Sequence, residues 1–179
     1  MSLASFHALS IDPVQAGCAK RLIACWRYER IAGRQTFWCF REEDHVATTF
    51  SVQEGTVPFR GHETWYRIVG DSDAPGKFPL VCLHGGPGAA HDYLESLQAM
   101  AETGRRVVFY DQLGCGRSSI PESKPEMWTV ELYVDELNAV RGTLGLDRIH
   151  LFGQSWGGML GMEYALTQPQ GLESLTVAS

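Results

Sequence analysis

No run of Lys and Arg in this chain is longer than a pair, and the formal net charge is −6. The basic stripe that a phosphate backbone requires is therefore missing, which argues against nucleic acid as a partner. There is no C-x-x-C pair, and none of Cys18, Cys25, Cys39, Cys82 and Cys115 stands beside closely spaced histidines. This leaves no zinc-site spacing and favours free thiols in a reducing compartment. The longest apolar stretch near the start, Leu22–Trp26, is far short of the roughly 20 residues that cross a bilayer. Asp12 precedes that stretch, where a secretory signal would be basic. These absences lead us to expect a cytoplasmic protein with a small-molecule or peptide substrate, with no role for a membrane.

What is present is an ordinary globular composition: 179 residues, 44% hydrophobic and 20% charged, enough for one domain or part of one. Residues 1–50 scatter arginines among Trp26, Phe37, Trp38 and Phe40 without periodicity. They read either as a short helix over Pro13–Tyr28 or as an extension of unknown role outside the domain. From residue 51 the pattern becomes orderly. Strand candidates at Thr56–Phe59 and Thr64–Val69 flank the turn Arg60-Gly61-His62, which predicts an antiparallel hairpin.

The run Pro79–Leu83 is apolar without alternation, as expected of a strand covered on both faces. Strand and helix then alternate regularly, which predicts a parallel sheet with crossover helices. A helix is expected from Asp92, opened by an Asp92-x-x-Glu95 capping box, facing inward with Tyr93, Leu94, Leu97 and Met100 and ended by Gly104. Arg106–Tyr110 follows as a strand. Thr129–Thr143 is the clearest helix, with Val130, Tyr133, Val134, Leu137 and Val140 at three- and four-residue spacing. A strand at Ile149–Phe152, a helix at Trp156–Thr167 and a strand at Ser174–Ala178 complete the series.

Three loops fall at the C-terminal ends of the predicted strands, where open α/β sheets bind ligands. Gly153-Gln154-Ser155-Trp156-Gly157 fits G-x-S-x-G between a strand and a helix, the context in which a sharp turn lifts a nucleophilic serine above the sheet. Ser155 is thus the candidate nucleophile, at the positive end of a helix that favours developing negative charge. His84-Gly85-Gly86-Pro87-Gly88 follows the buried strand. Its glycines let backbone approach a substrate, and the N–H groups of Gly86 and Trp156 are the candidate oxyanion donors. A phosphate loop is the competing reading, but neither G-x-G-x-x-G nor a following Lys-Ser/Thr occurs there. Asp111-Gln112-Leu113-Gly114-Cys115-Gly116-Arg117-Ser118 forms the third loop. Asp111 precedes Ser155 and so does not fit the order Ser, Asp/Glu, His of this fold. Together with His84, it is expected to support the loops. Cys115 beside Arg117 is read as inert rather than activated.

HGGPG at 84–88, DQLGCGRS at 111–118 and GQSWGG at 153–158 together resemble the proline iminopeptidase family of α/β-hydrolases, including its L-amino-acid amide hydrolase branch. The resemblance covers about residues 54–179. It implies a partial α/β-hydrolase fold, an N-terminal hairpin followed by parallel strands with crossover helices, stopping before the cap and last strands. It also implies release of an N-terminal residue, typically proline, from a peptide or amide through an acyl-serine, without metal or organic cofactor. Ser155, Gly86 and Trp156 are the positions it carries over. The family's catalytic Asp and His have no counterpart in this chain, and none of His7, His45, His62, His84, His91 and His150 follows Ser155. His91 is the one candidate surrogate base, and a packing or surface role is the alternative. The expectation is therefore that residues 1–179 alone are inactive and tend to aggregate through an unpaired strand at Leu175–Ala178, unless a C-terminal half is supplied as a separate chain. An esterase or other acyl-transfer hydrolase, or a non-catalytic truncated pseudoenzyme, is the competing reading.

Overall fold

The computed structural model describes residues 29–31, 34–36, 50–86, 88–122 and 125–179. The chain divides into two compact units, Met1–Ala47 and Thr48–Ser179. In the first, β1 (Glu29–Ile31) pairs antiparallel with β2 (Arg34–Thr36), in a stretch whose residues show no alternation. The Pro13–Tyr28 helix, Cys18, Cys25 and Cys39 lie outside the described residues.

The second unit holds one six-stranded sheet in the order β3-β4-β6-β5-β7-β8, formed by β3 (Val52–Phe59), β4 (His62–Val69), β5 (Leu80–Leu83), β6 (Val107–Tyr110), β7 (Ile149–Gln154) and β8 (Leu172–Ala178). The opening hairpin is present, closed by Arg60 and Gly61 at φ 49° and 80°, the pair of positive φ values that a two-residue turn needs to match strand twist. β3 pairs antiparallel with β4, and β4 with β6; β5 runs parallel to both β6 and β7, and β7 to β8. β3 begins four residues earlier than the alternation implied, because Val52, Gln53 and Glu54 are exposed and carry no period-two signal.

Successive residues of the central strands feed opposite faces, as the period of two requires. Val81, Leu83, Val108, Tyr110 and Leu151 face α1 (Val130–Thr143) and α2 (Trp156–Leu166), packing on Tyr133, Leu137, Val140, Leu160 and Tyr164. Cys82, Val107 and Phe109 face the other way, onto Leu94 and Ala101. Both faces are thus covered, which is why these strands read as unbroken apolar runs. α1 starts where the periodicity placed it, with the Thr129 hydroxyl accepting from the Leu132 N–H at 3.2 Å. No helix among the described residues is long and apolar enough to cross a membrane.

The segment His91–Thr103 is a 3₁₀ helix, and the expected capping box is absent: its N-cap is Ala90, without a side-chain cap bond. Glu95 is engaged instead by Arg67 of β4, at 2.6 Å. Tyr93 and Met100 are exposed, and the buried face is His91, Leu94 and Ala101. Gly104 ends the segment at φ 79°, in the left-handed conformation that glycine adopts without strain.

Candidate active site

Ser155 sits on the turn from β7 into α2 at φ 52°, ψ −119°. A non-glycine residue at positive φ outside the ordinary left-handed basin costs of order 1–3 kcal/mol and persists only where the surroundings impose it. Two glycines show how they do so. A Cβ on Gly153 would fall on the Gly157 carbonyl, and one on Gly157 would fall on the Leu83 carbonyl of β5 and lie 2.7 Å from the His84 carbonyl oxygen. Helix, strand and loop therefore meet backbone to backbone. The Ser155 N–H donates to the Ala178 carbonyl of β8 at 2.8 Å, which holds the turn to the sheet. Serine at an N-cap ordinarily spends its hydroxyl on the helix amides. Ser155 makes no such bond and is exposed, so its Oγ is available above the positive end of α2.

The loop after β5 lies directly against this turn. Gly85 donates its N–H to Tyr93 Oη, and Tyr93 in turn donates to Gln154 Oε1 at 2.8 Å. The Gly85 amide is thereby occupied. Gly86, at φ 110°, and Trp156 have no hydrogen-bond partner for their N–H groups among the described residues. A Cβ on Gly86 would lie 2.7 Å from the Ala89 nitrogen, so both its φ and its close packing require glycine.

His84 is buried beneath the loop. Its Nε2 accepts from the Gln112 N–H at 2.8 Å, and since a backbone amide can only donate, the ring proton is on Nδ1, which donates to the Gly85 carbonyl at 2.8 Å. Both nitrogens are used and burial depresses the ring's pKa, so His84 is held neutral. Asp111 is fully buried and accepts from the His91 N–H and the Arg117 N–H at 2.9 Å each, with His91 Nδ1 at 2.8 Å. It closes the loop 111–118 on itself and onto the start of the 3₁₀ segment. His91 is no surface group: it is buried and packs at a tilt against Trp65, with ring centroids 4.4 Å apart. His150 lies against Ser174 Oγ at 2.8 Å. Cys115 is buried and its thiol pKa is raised, chiefly by burial, which removes the thiolate an activated cysteine needs. Among the described residues no group of three or more His, Cys, Asp and Glu could hold a metal ion.

A cavity of about 630 Å³ opens beside Trp156, walled by Gly88, Cys115, Trp128, Thr129 and Tyr133 and mostly apolar. The Trp156 indole is fixed in it by Gln112 Oε1, which accepts its N–H at 2.8 Å, and by the edge of Tyr133 at 5.7 Å between centroids. A smaller cavity of about 300 Å³ is lined by Val52, Val69, Ser96, Gln98 and Glu102, away from Ser155.

Beneath this floor lies Glu136 of α1, which the apolar stripe of the sequence passed over. It is fully buried. Its Oε1 accepts from Thr64 Oγ1 at 2.5 Å and from the Leu113 N–H at 2.8 Å, while Oε2 and the buried Tyr110 hydroxyl have no partner among the described residues. Burial pushes its carboxyl up to about 7 from 4.5. The folded state thus takes up this proton more readily than the unfolded chain. The stabilisation is complete below about pH 4.5 and is lost as pH rises through 7, a difference of about 3 kcal/mol. His84 works in the opposite sense, because its lowered pKa makes the unfolded chain the better proton acceptor as pH falls below about 6.5. Comparing Glu136→Gln with wild type isolates the carboxyl. We expect equal stability near pH 4.5 and an advantage of about 3 kcal/mol for the variant at pH 8, read from urea unfolding of the natural gene product carrying this chain. A difference that does not vary with pH would contradict the assignment.

The model for the alpha/beta hydrolase fold matches residues 79–179, the span that carries the parallel strands, the three loops and the serine turn. The chain belongs to the α/β-hydrolase family. Within that family it is similar to proline iminopeptidases. It is 54% identical over 130 residues to that of Lactobacillus helveticus strain DPC 4571, covering 72% of this chain and 44% of the relative. It is 50% identical over 129 residues to that of Clostridioides difficile strain 630, covering 72% and 43%. The crystal structure of the Mycobacterium smegmatis proline iminopeptidase superposes with a TM-score of 0.67 at 50% identity, over 69% of this chain and 42% of that one. The chain thus spans somewhat under half the length of the relatives it matches.

Proposed function

We propose that this chain is the nucleophile-bearing part of a serine hydrolase that releases an N-terminal residue, proline foremost, from peptides or L-amino-acid amides. Ser155 is the nucleophile, and the Gly86 and Trp156 N–H groups receive the oxyanion. The observation that carries this reading is the positive-φ Ser155 with its hydroxyl unspent on the helix, in a chain about half identical to relatives named proline iminopeptidase. In this mechanism Ser155 Oγ attacks the carbonyl carbon, the oxyanion is held by the two amides, and collapse releases the amine and leaves an acyl-serine that water hydrolyses. Each donor is worth about 2.7 to 4 kcal/mol of barrier.

His84 and His91 are committed to Gln112 and Asp111 and His150 to Ser174; this reading assigns the base that takes the serine proton, and the acid that orients it, to residues outside the described ones. A separate chain supplying a C-terminal half is one way to provide them. The experiment is a substrate comparison with the natural gene product that carries this chain: proline β-naphthylamide and L-prolinamide against simple acyl esters. Turnover of the prolyl amides is expected. Rapid ester turnover with none of the prolyl amides would transfer the reading to an esterase.

A further inference from the structure

Gln112 sits in the loop after β6 and is 1% exposed, yet it touches both halves of the oxyanion site. Its backbone N–H donates to His84 Nε2 at 2.8 Å and its side-chain Nε2 donates to the His84 carbonyl at 2.9 Å. Its Oε1 accepts from the Trp156 indole at 2.8 Å. One residue therefore grips the chain two positions before Gly86 by ring and carbonyl together, and grips the side chain of the residue whose amide is the other donor. We propose that Gln112 is a positioning residue that fixes the separation of the Gly86 and Trp156 N–H groups. The proposal rests on the reading of Ser155 as nucleophile.

The physical case is that the loop cannot hold itself. Gly85 and Gly86 have no side chains to lock their backbone, and Gly86 occupies a φ open only to glycine. The conformation must come from neighbours, and oxyanion stabilisation depends on donors that are already in place when charge develops. A displacement of about 1 Å is enough to cost on the order of 10²-fold in rate. Tyr93 makes a second bridge, from the Gly85 N–H to Gln154 Oε1, but it is 48% exposed. Water competes for those bonds and can replace them. Of the bonds of Gln112, the two to His84 are buried and only the one from the Trp156 indole, at the cavity, is part-buried, so water cannot restore the hold on His84 when the side-chain bond is removed.

The test uses the natural gene product that carries this chain, with active sites titrated by a fluorophosphonate. Turnover is measured on whichever of prolyl amide or p-nitrophenyl acetate the wild type hydrolyses. Gln112→Met keeps the length of the side chain and the backbone bond to His84 Nε2 and removes the two side-chain bonds, and kcat per titrated site is expected to fall on the order of 10²-fold with KM changed less than threefold. Tyr93→Phe is expected to lose less than tenfold. Gln112→Glu supplies the readout that a purely structural role would not move. Its carboxylate can accept from Trp156 but can donate to the His84 carbonyl only when protonated, so its kcat relative to wild type should rise as pH falls.

A Gln112→Met enzyme within threefold of wild-type kcat, a ratio for Gln112→Glu that is flat in pH, or a larger loss in Tyr93→Phe than in Gln112→Met would overturn the proposal. If Gln112→Met does not fold, the pH-dependent ratio of the isosteric Gln112→Glu decides. Should Ser155→Ala retain activity, the nucleophile reading fails and takes the proposal with it, as does a wild type that turns over neither substrate. Loss in Ser155→Ala with unimpaired Gln112 variants sinks the proposal alone.

Discussion

Replacing Ser155 by alanine is expected to reduce hydrolysis of prolyl amides by about 10⁶-fold, near 8 kcal/mol of barrier, the scale on which serine hydrolases respond to loss of the nucleophile. The loss should come without loss of fold. Ser155 makes no side-chain cap bond, and its backbone bonds, to the Ala178 carbonyl and from the Gly158 and Met159 amides, are available to alanine. The cost of positive φ is also similar for the two residues. Circular dichroism and the urea midpoint should therefore stay at wild-type values while turnover disappears and labelling by a fluorophosphonate is lost. Full activity in Ser155→Ala would remove the nucleophile assignment.

The second large effect is structural. In Gly157→Ala the new methyl would overlap the Leu83 and His84 carbonyls, which are main-chain atoms and cannot rotate aside. β5 is paired on both edges, with β6 and with β7, so it cannot retreat without breaking a ladder. α2 must lift instead, taking Ser155 and Trp156 with it. We expect destabilisation at or above the upper end of the 1–3 kcal/mol usual for overpacking, and a fall in turnover of at least about 10²-fold in whatever folds. Gly142→Ala is the control. Gly142 lies in α1 with nothing within 4 Å of its prospective Cβ, so helix propensity alone should stabilise it, by up to about 1 kcal/mol. Equal urea midpoints for the Gly157 variant and wild type would refute the steric account.

The parts of this fold legible from residues alone are those in which local pattern and tertiary environment agree. The apolar run that ends at Leu83 reads as a doubly covered strand because both of its faces are indeed packed, and the serine turn follows from a motif in its proper setting. The failures have the opposite cause. Asp92-x-x-Glu95 looks like a helix start, but Arg67, 28 residues earlier in the chain, takes the Glu95 carboxylate, and no local rule contains that competitor. Glu136 stands beside Leu137 and three residues after Tyr133 on the buried side of α1. That adjacency was a usable signal of a buried acid, yet its hydrogen-bond partners, Thr64 and Leu113, are not legible from α1. Gln112 appeared only as a letter within DQLGCGRS, because its importance lies in two partners 28 and 44 residues away.

Those separations also bear on how the molecule acquires its site in time. The bonds that join the loop after β5 to the serine turn span 28, 44 and 61 residues, and their partners ride on the ends of β5, β6 and β7 or on the segment between β5 and β6. Contacts this distant in sequence carry the loop-closure cost that makes parallel α/β topologies slow to assemble. None of the bonds can form before the three central strands have aligned. A hairpin such as β3–β4, or an isolated helix such as α1, can appear early in folding, but a partly folded chain lacks the junction of loop and serine turn that is proposed to hold the oxyanion. The joining of this loop to the serine turn is thus one of the last features this polypeptide gains, and it arrives together with the packing of the sheet.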